Sequence, residues 1–201
     1  MLRINDLSKS FNNKDVIKNL SLSLPDSGFI AICGPSGCGK STLLHLIAGI
    51  EKPSEGEICF SGEKCSISMS FQDSRLLAER TALQNVNFVL GDKKATLSRA
   101  EKLLFEVGIT DVGLYPDELS GGMKARVSIA RALAKDADIY LFDEPFANLD
   151  METAEMTAAA IKKHTEGVLV IAVIHDKEFA VRIADRVIYF DETPITGEYI
   201  I

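Results

Sequence analysis

The chain has 201 residues, of which 46% are hydrophobic, with a net charge of −7 and no Trp. The length fits one large domain or two small ones, with enough apolar material for a sizeable core, and the acidic balance argues against a broad nucleic-acid surface, which needs a basic footprint, while leaving room for a local basic patch. The longest apolar runs, 168–174 and 29–33, are far shorter than the roughly 18 residues of a membrane span.

The N-terminus, "MLRINDLSKS", carries no apolar signal region or cleavage site, so the chain is expected to remain in the cytoplasm. The cysteines, Cys33, Cys38, Cys59 and Cys65, form no CxxC pair. Scattered spacing in a reducing compartment points to free thiols rather than disulfides or zinc.

In chain order, alternation in "MLRINDLS" and "VIKNLSLSL" predicts two amphipathic strands joined by the turn "FNNKD". The continuous run "FIAIC" predicts a strand covered on both faces. It enters "GPSGCGKST", and a helix follows to about Gly49. "EICFSG" and "SISMSFQ" predict two further strands. Helical spacing then dominates residues 75–134, read as an inserted helical subdomain. "DADIYLFDEP" and "GVLVIAVIH" predict buried strands, with helices after them and a last strand at "RVIYFD". Buried strands alternating with helices imply a mainly parallel sheet. The expected fold is therefore a single α/β domain over residues 1–201, with an N-terminal antiparallel β subdomain.

"GPSGCGKS" fits the phosphate-loop pattern G-x-x-x-x-G-K-[ST] through Gly34, Gly39, Lys40 and Ser41. The loop Gly34, Pro35, Ser36, Gly37, Cys38, Gly39, Lys40, Ser41, Thr42 offers backbone N–H groups to phosphates. Lys40 reaches the β and γ phosphates, and the Ser41 hydroxyl suits Mg²⁺. The following helix N-terminus adds positive partial charge. Cys38, near Lys40 and a helix start, has two features that favour thiolate, which predicts that alkylation blocks nucleotide binding. The other reading makes it a small filler.

"IYLFDE" ends an apolar run in two acids. Asp143 falls at the sheet's carboxyl edge, where ligands of open α/β sheets bind, and can hold Mg²⁺. Glu144 can orient or deprotonate an attacking water. His175 ends "VLVIAVIH" at the same edge, within reach of a γ-phosphate, whereas His45 and His164 read as structural. Gln72, ending "SISMSFQ", can contact Mg²⁺ and water. In "ELSGGMKARVSIARAL" two glycines head a helix. Glycine is costly inside a helix, so backbone there must come close to something.

With the phosphate loop, Gln72, "LSGG", "LFDE", "ANLD" and His175 in this order, the whole chain resembles the ATP-binding-cassette (ABC) ATPases. The resemblance implies a P-loop NTPase core, Mg²⁺-dependent ATP hydrolysis and a head-to-tail pair, in which ATP on one copy's phosphate loop is capped by Ser120, Gly121 and Gly122 of the other. It implies that Phe11 stacks on adenine, where the family more often has Tyr, and that Asp150 crosses the interface toward the partner's phosphate loop. Two departures stand out: Ala147 replaces the usual Ser of "ANLD", and Met123 the common Gln of the signature.

"FQDSRLLAERTALQNV" resembles bacterial importer ATPases of the nitrate, sulfonate and taurine group, although Ala78 and Glu79 stand where many relatives have Pro-Trp. In the family this region receives a helix of the membrane subunit. The resemblance therefore implies an ATPase on the cytoplasmic face of the membrane, driving import of a small solute. Its partners would be an integral membrane permease, a second copy of itself or a homologous ATPase and, through the permease, an extracytoplasmic solute-binding protein; no nucleic acid is expected. The alternative is a soluble cassette ATPase acting on DNA, ribosomes or cofactor assembly.

Overall fold

The computed structural model describes residues 2–62 and 65–200; Met1, read above as the start of the first strand, lies outside them. The chain opens with β1 (Leu2–Phe11) and β2 (Lys14–Leu24), antiparallel and joined by Asn12 and Asn13 alone. Both turn residues are left-handed, with φ of 49° and 62°, the geometry that matches strand twist in two-residue hairpins. The turn is thus tighter than "FNNKD": Phe11 and Lys14–Asp15 belong to the strands. β3 (Gly28–Cys33) leads into α1 (Lys40–Ile47), followed by β4 (Glu55–Phe60) and β5 (Ile67–Ser70).

The helices α2 (Ala82–Val89), α3 (Leu97–Glu106) and α4 (Gly121–Ala134) come next. Thr81 and Gln84 form a reciprocal capping box at α2, which satisfies two orphan donors. The core then resumes with β6 (Ile139–Asp143), α5 (Met151–His164), β7 (Leu169–Val173), α6 (Lys177–Ile183), β8 (Arg186–Tyr189) and β9 (Ile195–Ile200).

Two sheets result. One has the order β4-β1-β2-β9; the other has the order β5-β6-β7-β3-β8, with every recorded pair parallel. The continuous apolar runs follow from this layering. Phe29, Ala31 and Cys33 face the helical side with Tyr140, Phe142, Val170 and Ala172. Ile30 and Ile32 face the other way, with Leu141, Ile171 and Val173, toward α1 and the first sheet. A strand of period two buried on both faces needs an apolar residue at every position.

Strand β9 was not read from the sequence. "ITGEYI" carries an interior Gly and Glu, both poor strand formers, yet it pairs in parallel with β2. Ile195 is buried, and the Tyr199 ring meets Phe190 edge-on at 5.4 Å. The first sheet is therefore antiparallel apart from this last pair.

Candidate nucleotide site

The carboxyl edge of the parallel sheet gathers most of the candidate residues. The phosphate loop follows β3, Asp143 is the last residue of β6, and His175 lies just beyond β7. Gln72 lies past the end of β5 at Ser70, on a loop rather than at the strand terminus. The order of the sheet sets these chain segments side by side. A cavity of about 550 Å³ at this edge is lined by Phe11, Val16, Ser36, Gly37, Gly39, Lys40, Ser41, Thr42, Gln72, Glu144 and His175.

Gly34 begins the loop with φ of 153°, and a Cβ there would stand 2.3 Å from the carbonyl oxygen of Phe190. Only glycine allows the loop to leave β3 this close to the end of β8. The buried Lys40 ammonium donates to the carbonyls of Gly34 at 2.9 Å and Pro35 at 2.7 Å. A phosphate would compete with two neutral acceptors for that ammonium, and the attraction between opposite charges is added to the hydrogen bond when the acceptor is an anion.

Cys38 does not fit its reading as a reactive thiol. It is completely buried, packed with the β1–β2 core side, and its Sγ accepts a long contact of 3.7 Å from Lys40. Its side chain is the small filler of the other reading, and Cys38 is not among the residues that line the cavity.

Ser41 Oγ donates to Asp143 Oδ1 at 2.9 Å. Burial pushes the Asp143 carboxyl up from its ordinary range, with Glu144 adding to the rise, while the Ser41 hydrogen bond and the His45 and Lys40 charges act against it. A desolvated carboxylate beside a hydroxyl is a pair of hard oxygen donors suited to Mg²⁺. Among the described residues no cluster of three or more His, Cys, Asp or Glu could hold a metal alone.

Glu144 is held at both oxygens. His175 Nε2 lies 2.7 Å from Oε1, and Gln72 Nε2 donates to Oε2 at 3.1 Å. Its backbone is left-handed, with φ of 52°, a conformation costly for a side chain of this kind. Phe11 is exposed, and the Lys9 ammonium sits 4.7 Å from its ring centroid, which leaves a ring face available for stacking.

Ser120, Gly121, Gly122 and Asp150 are not among the cavity's lining residues. Ser120 caps α4, its Oγ accepting from Met123 N–H at 3.2 Å. A Cβ on Gly121 would meet nothing within 4 Å, whereas one on Gly122 would meet Leu149 Cδ2 at 3.0 Å and Asn148 O at 3.1 Å. The two glycines therefore serve different ends: Gly122 admits the "ANLD" loop of its own chain, and Gly121 is open. Asp150 caps α5, with Oδ1 accepting from Thr153 N–H and Oδ2 from Thr153 Oγ1, both at 2.9 Å. Met123 packs against the helical core rather than serving as a polar contact.

The sequence reading passed over two arginines of α4. Arg126 Nη1 donates to the carbonyls of Val107 and Gly108, and its Nε donates to Gly122 O. Arg131 donates to the carbonyls of Ser74 and Arg75. Their signal was present: two long cations set among the apolar positions of a core helix.

Fold and site together define a P-loop nucleotide-binding ATPase. The ABC transporter family model matches residues 17–147, and the chain belongs to that family, as an ATP-binding subunit that hydrolyses ATP. It is 38% identical to an arginine transport ATP-binding protein of Bacillus subtilis, over 98% of this chain and 90% of that protein. It is likewise 38% identical to an aliphatic sulfonates import ATP-binding protein of Rhodopseudomonas palustris, over 100% of this chain and 74% of that protein. Among solved structures, a dimeric ATP-binding cassette in a post-hydrolysis state with ADP and Pi superposes with a TM-score of 0.86 at 31% identity, covering 94% of each chain.

Proposed function

We propose that this chain is the motor of an importer for a small solute, and that two copies, or one copy and a homologue, close head to tail over Mg²⁺-ATP. The observation that carries the reading is the division of the site. One cavity holds the phosphate loop, Gln72, Glu144 and His175, while the bare start of α4 lies outside its lining. Backbone N–H groups at a helix start with no side chain over Gly121 are an anion site that awaits a phosphate held elsewhere.

In this reading Phe11 stacks on the adenine, and the loop amides and Lys40 hold the phosphates. Ser41 and Asp143, with Gln72, would hold Mg²⁺, which neutralises charge on the β and γ phosphates when bound. Glu144 orients the attacking water and accepts its proton. His175 holds Glu144 in place and hydrogen-bonds the γ-phosphate. Ser120, Gly121 and Gly122 cap that phosphate from the second copy. The Asp150 carboxylate keeps lone pairs beyond those Thr153 uses, so it can both cap α5 and face the second copy's phosphate loop. A unit charge pair at about 4 Å in an effective dielectric near 20 is worth about 4 kcal/mol, so loss of the γ-phosphate loosens the pair.

We further propose that the whole chain acts as one nucleotide-binding domain, with residues 75–134 as its helical subdomain, docked on a membrane permease at the cytoplasmic face. Three features support docking there. Phe88 and Val89 of α2 are exposed, Tyr115 is exposed, and the segment before Tyr115 bonds to the start of α2 through Ala82 N–H to Leu114 O and Leu83 N–H to Val112 O. Among the described residues no helix is long and apolar enough to cross a membrane. Import of a small solute is supported by what the similar chains are named for.

The experiment is Glu144→Gln. It should bind ATP, lose turnover by about 10²-fold or more, and accumulate as an ATP-dependent dimer by light scattering. Wild-type turnover in this variant removes Glu144 as the base. Turnover strictly first order in a monomeric wild-type enzyme at every dilution removes the shared site. Crosslinks from the 72–86 segment should capture a multispanning membrane protein; capture of ribosome or nucleic acid alone removes the transport reading.

A further inference from the structure

The C-terminal part of helix α4, from Ser128 to Ala132, is fixed to β5 and to the loop that carries Gln72. Ser68 Oγ donates to Ala132 O at 2.8 Å, and the Ser70 and Ser128 hydroxyls meet at 3.0 Å, both pairs buried. Beyond the strand end, Arg131 Nη2 donates to Ser74 O at 2.8 Å and Nη1 to Arg75 O at 2.9 Å. Among the described residues these partners are carbonyls and not a carboxylate, so a half-buried guanidinium is committed to holding backbone. The planar fork of Arg suits two neighbouring acceptors in a way that the single ammonium of Lys does not.

The loop so held needs an anchor. Arg75 is left-handed, with φ of 45°, and its guanidinium stacks at 4.2 Å on Phe71. Phe71 in turn lies against His45 of α1. Gln72 sits between these fixed points and donates to Glu144. The other end of α4 is Ser120, at the start of a 14-residue helix that spans roughly 20 Å.

We propose that Arg131 is a positioning residue for Gln72, which ties α4, and with it the Ser120 end, to the Gln72–Glu144 contact. The inference rests on the reading of Gln72 and Glu144 given above. When α4 shifts, the Ser74–Arg75 backbone moves with it, and Gln72 is drawn toward or away from Glu144. Among the described residues, the Arg131 hydrogen bonds go to the Ser74 and Arg75 carbonyls and not to the phosphate loop or Phe11.

The test compares Arg131→Met, Arg131→Lys, Gln72→Ala and Arg131→Met/Gln72→Ala in steady-state ATPase assays, nucleotide titrations and thermal melts. Arg131→Met should lower kcat by about tenfold with KM changed less than about threefold, and Arg131→Lys should recover part of the loss. In the Gln72→Ala background, Arg131→Met should lower kcat no further, because residues acting through one contact are not additive. Unchanged kcat in a folded Arg131→Met overturns the proposal, as do multiplied losses in the double variant. If Arg131→Met does not fold, Arg131→Lys carries the same cycle. Wild-type kcat in Gln72→Ala overturns the underlying reading of Gln72 as well. An impaired Gln72→Ala with independent Arg131 effects overturns the Arg131 link alone.

Discussion

Ser41 and Asp143 are separated by 102 residues, yet the serine hydroxyl donates to the carboxylate across 2.9 Å. Burial has raised the Asp143 carboxyl above its ordinary value. A carboxyl whose folded value is raised binds its proton more tightly in the folded state. It therefore erodes stability as pH climbs through the interval between the ordinary and the raised value, and the loss stays in full above it. Asp143→Asn should accordingly raise the melting temperature of the nucleotide-free protein by a few degrees at neutral pH and narrow the gap at low pH. It should also abolish the extra stabilisation that Mg²⁺ adds to ATP. Melting curves with ATP, with and without Mg²⁺, measure both effects.

Phe11→Ala should weaken ATP binding by about 1–3 kcal/mol, the range for a base stacked on an aromatic ring, while Phe11→Tyr keeps the affinity near wild type. Titration with a fluorescent ATP analogue separates the two. Equal affinity in Phe11→Ala would leave Phe11 as a strand-end aromatic.

Glu106, on α3, accepts from Lys163 at 2.8 Å and pairs with His164 at the end of α5, tying the helical region to the core. Burial pushes its carboxyl up, but hydrogen bonds from Lys163 and His164 outweigh this and hold it below its ordinary value. A depressed folded value adds stability that is present above the unfolded value of 4.5 and is lost as pH falls through the folded value. Glu106→Gln should therefore cost about 1 kcal/mol or less at neutral pH and nothing at strongly acid pH. Urea unfolding across pH checks the sign.

Native thiol labelling should spare Cys38 and Cys33, which are buried, and reach Cys59 and Cys65, which are partly exposed. Mass mapping before and after urea unfolding measures this. Rapid native labelling of Cys38 would contradict its burial beneath Lys40.

Much of this chain was legible from local pattern. The two-sided burial of β3, β6 and β7 imposes continuous apolar runs that can be read without coordinates. The phosphate loop is a contiguous motif because its chemistry is backbone chemistry, and Asp143, Glu144 and His175 announce themselves at the ends of those runs. Gly121 and Gly122 signalled a close approach; in the fold Gly122 makes one, to Leu149 and Asn148, while Gly121 stays open.

Other features belong to the tertiary structure. β9 is held by pairing with a strand far away in sequence, so its own composition could not reveal it. For Cys38 the sequence left a reactive thiol and a small filler both open; its side chain is fully buried, and burial is a property of what packs above a residue. Arg131 acts through carbonyls 56 and 57 positions away, and backbone acceptors leave no trace in residue identity. The sequence determined the chemistry offered at each strand end; only the crossing order of the parallel sheet, set by packing on both faces, decided which of those groups meet.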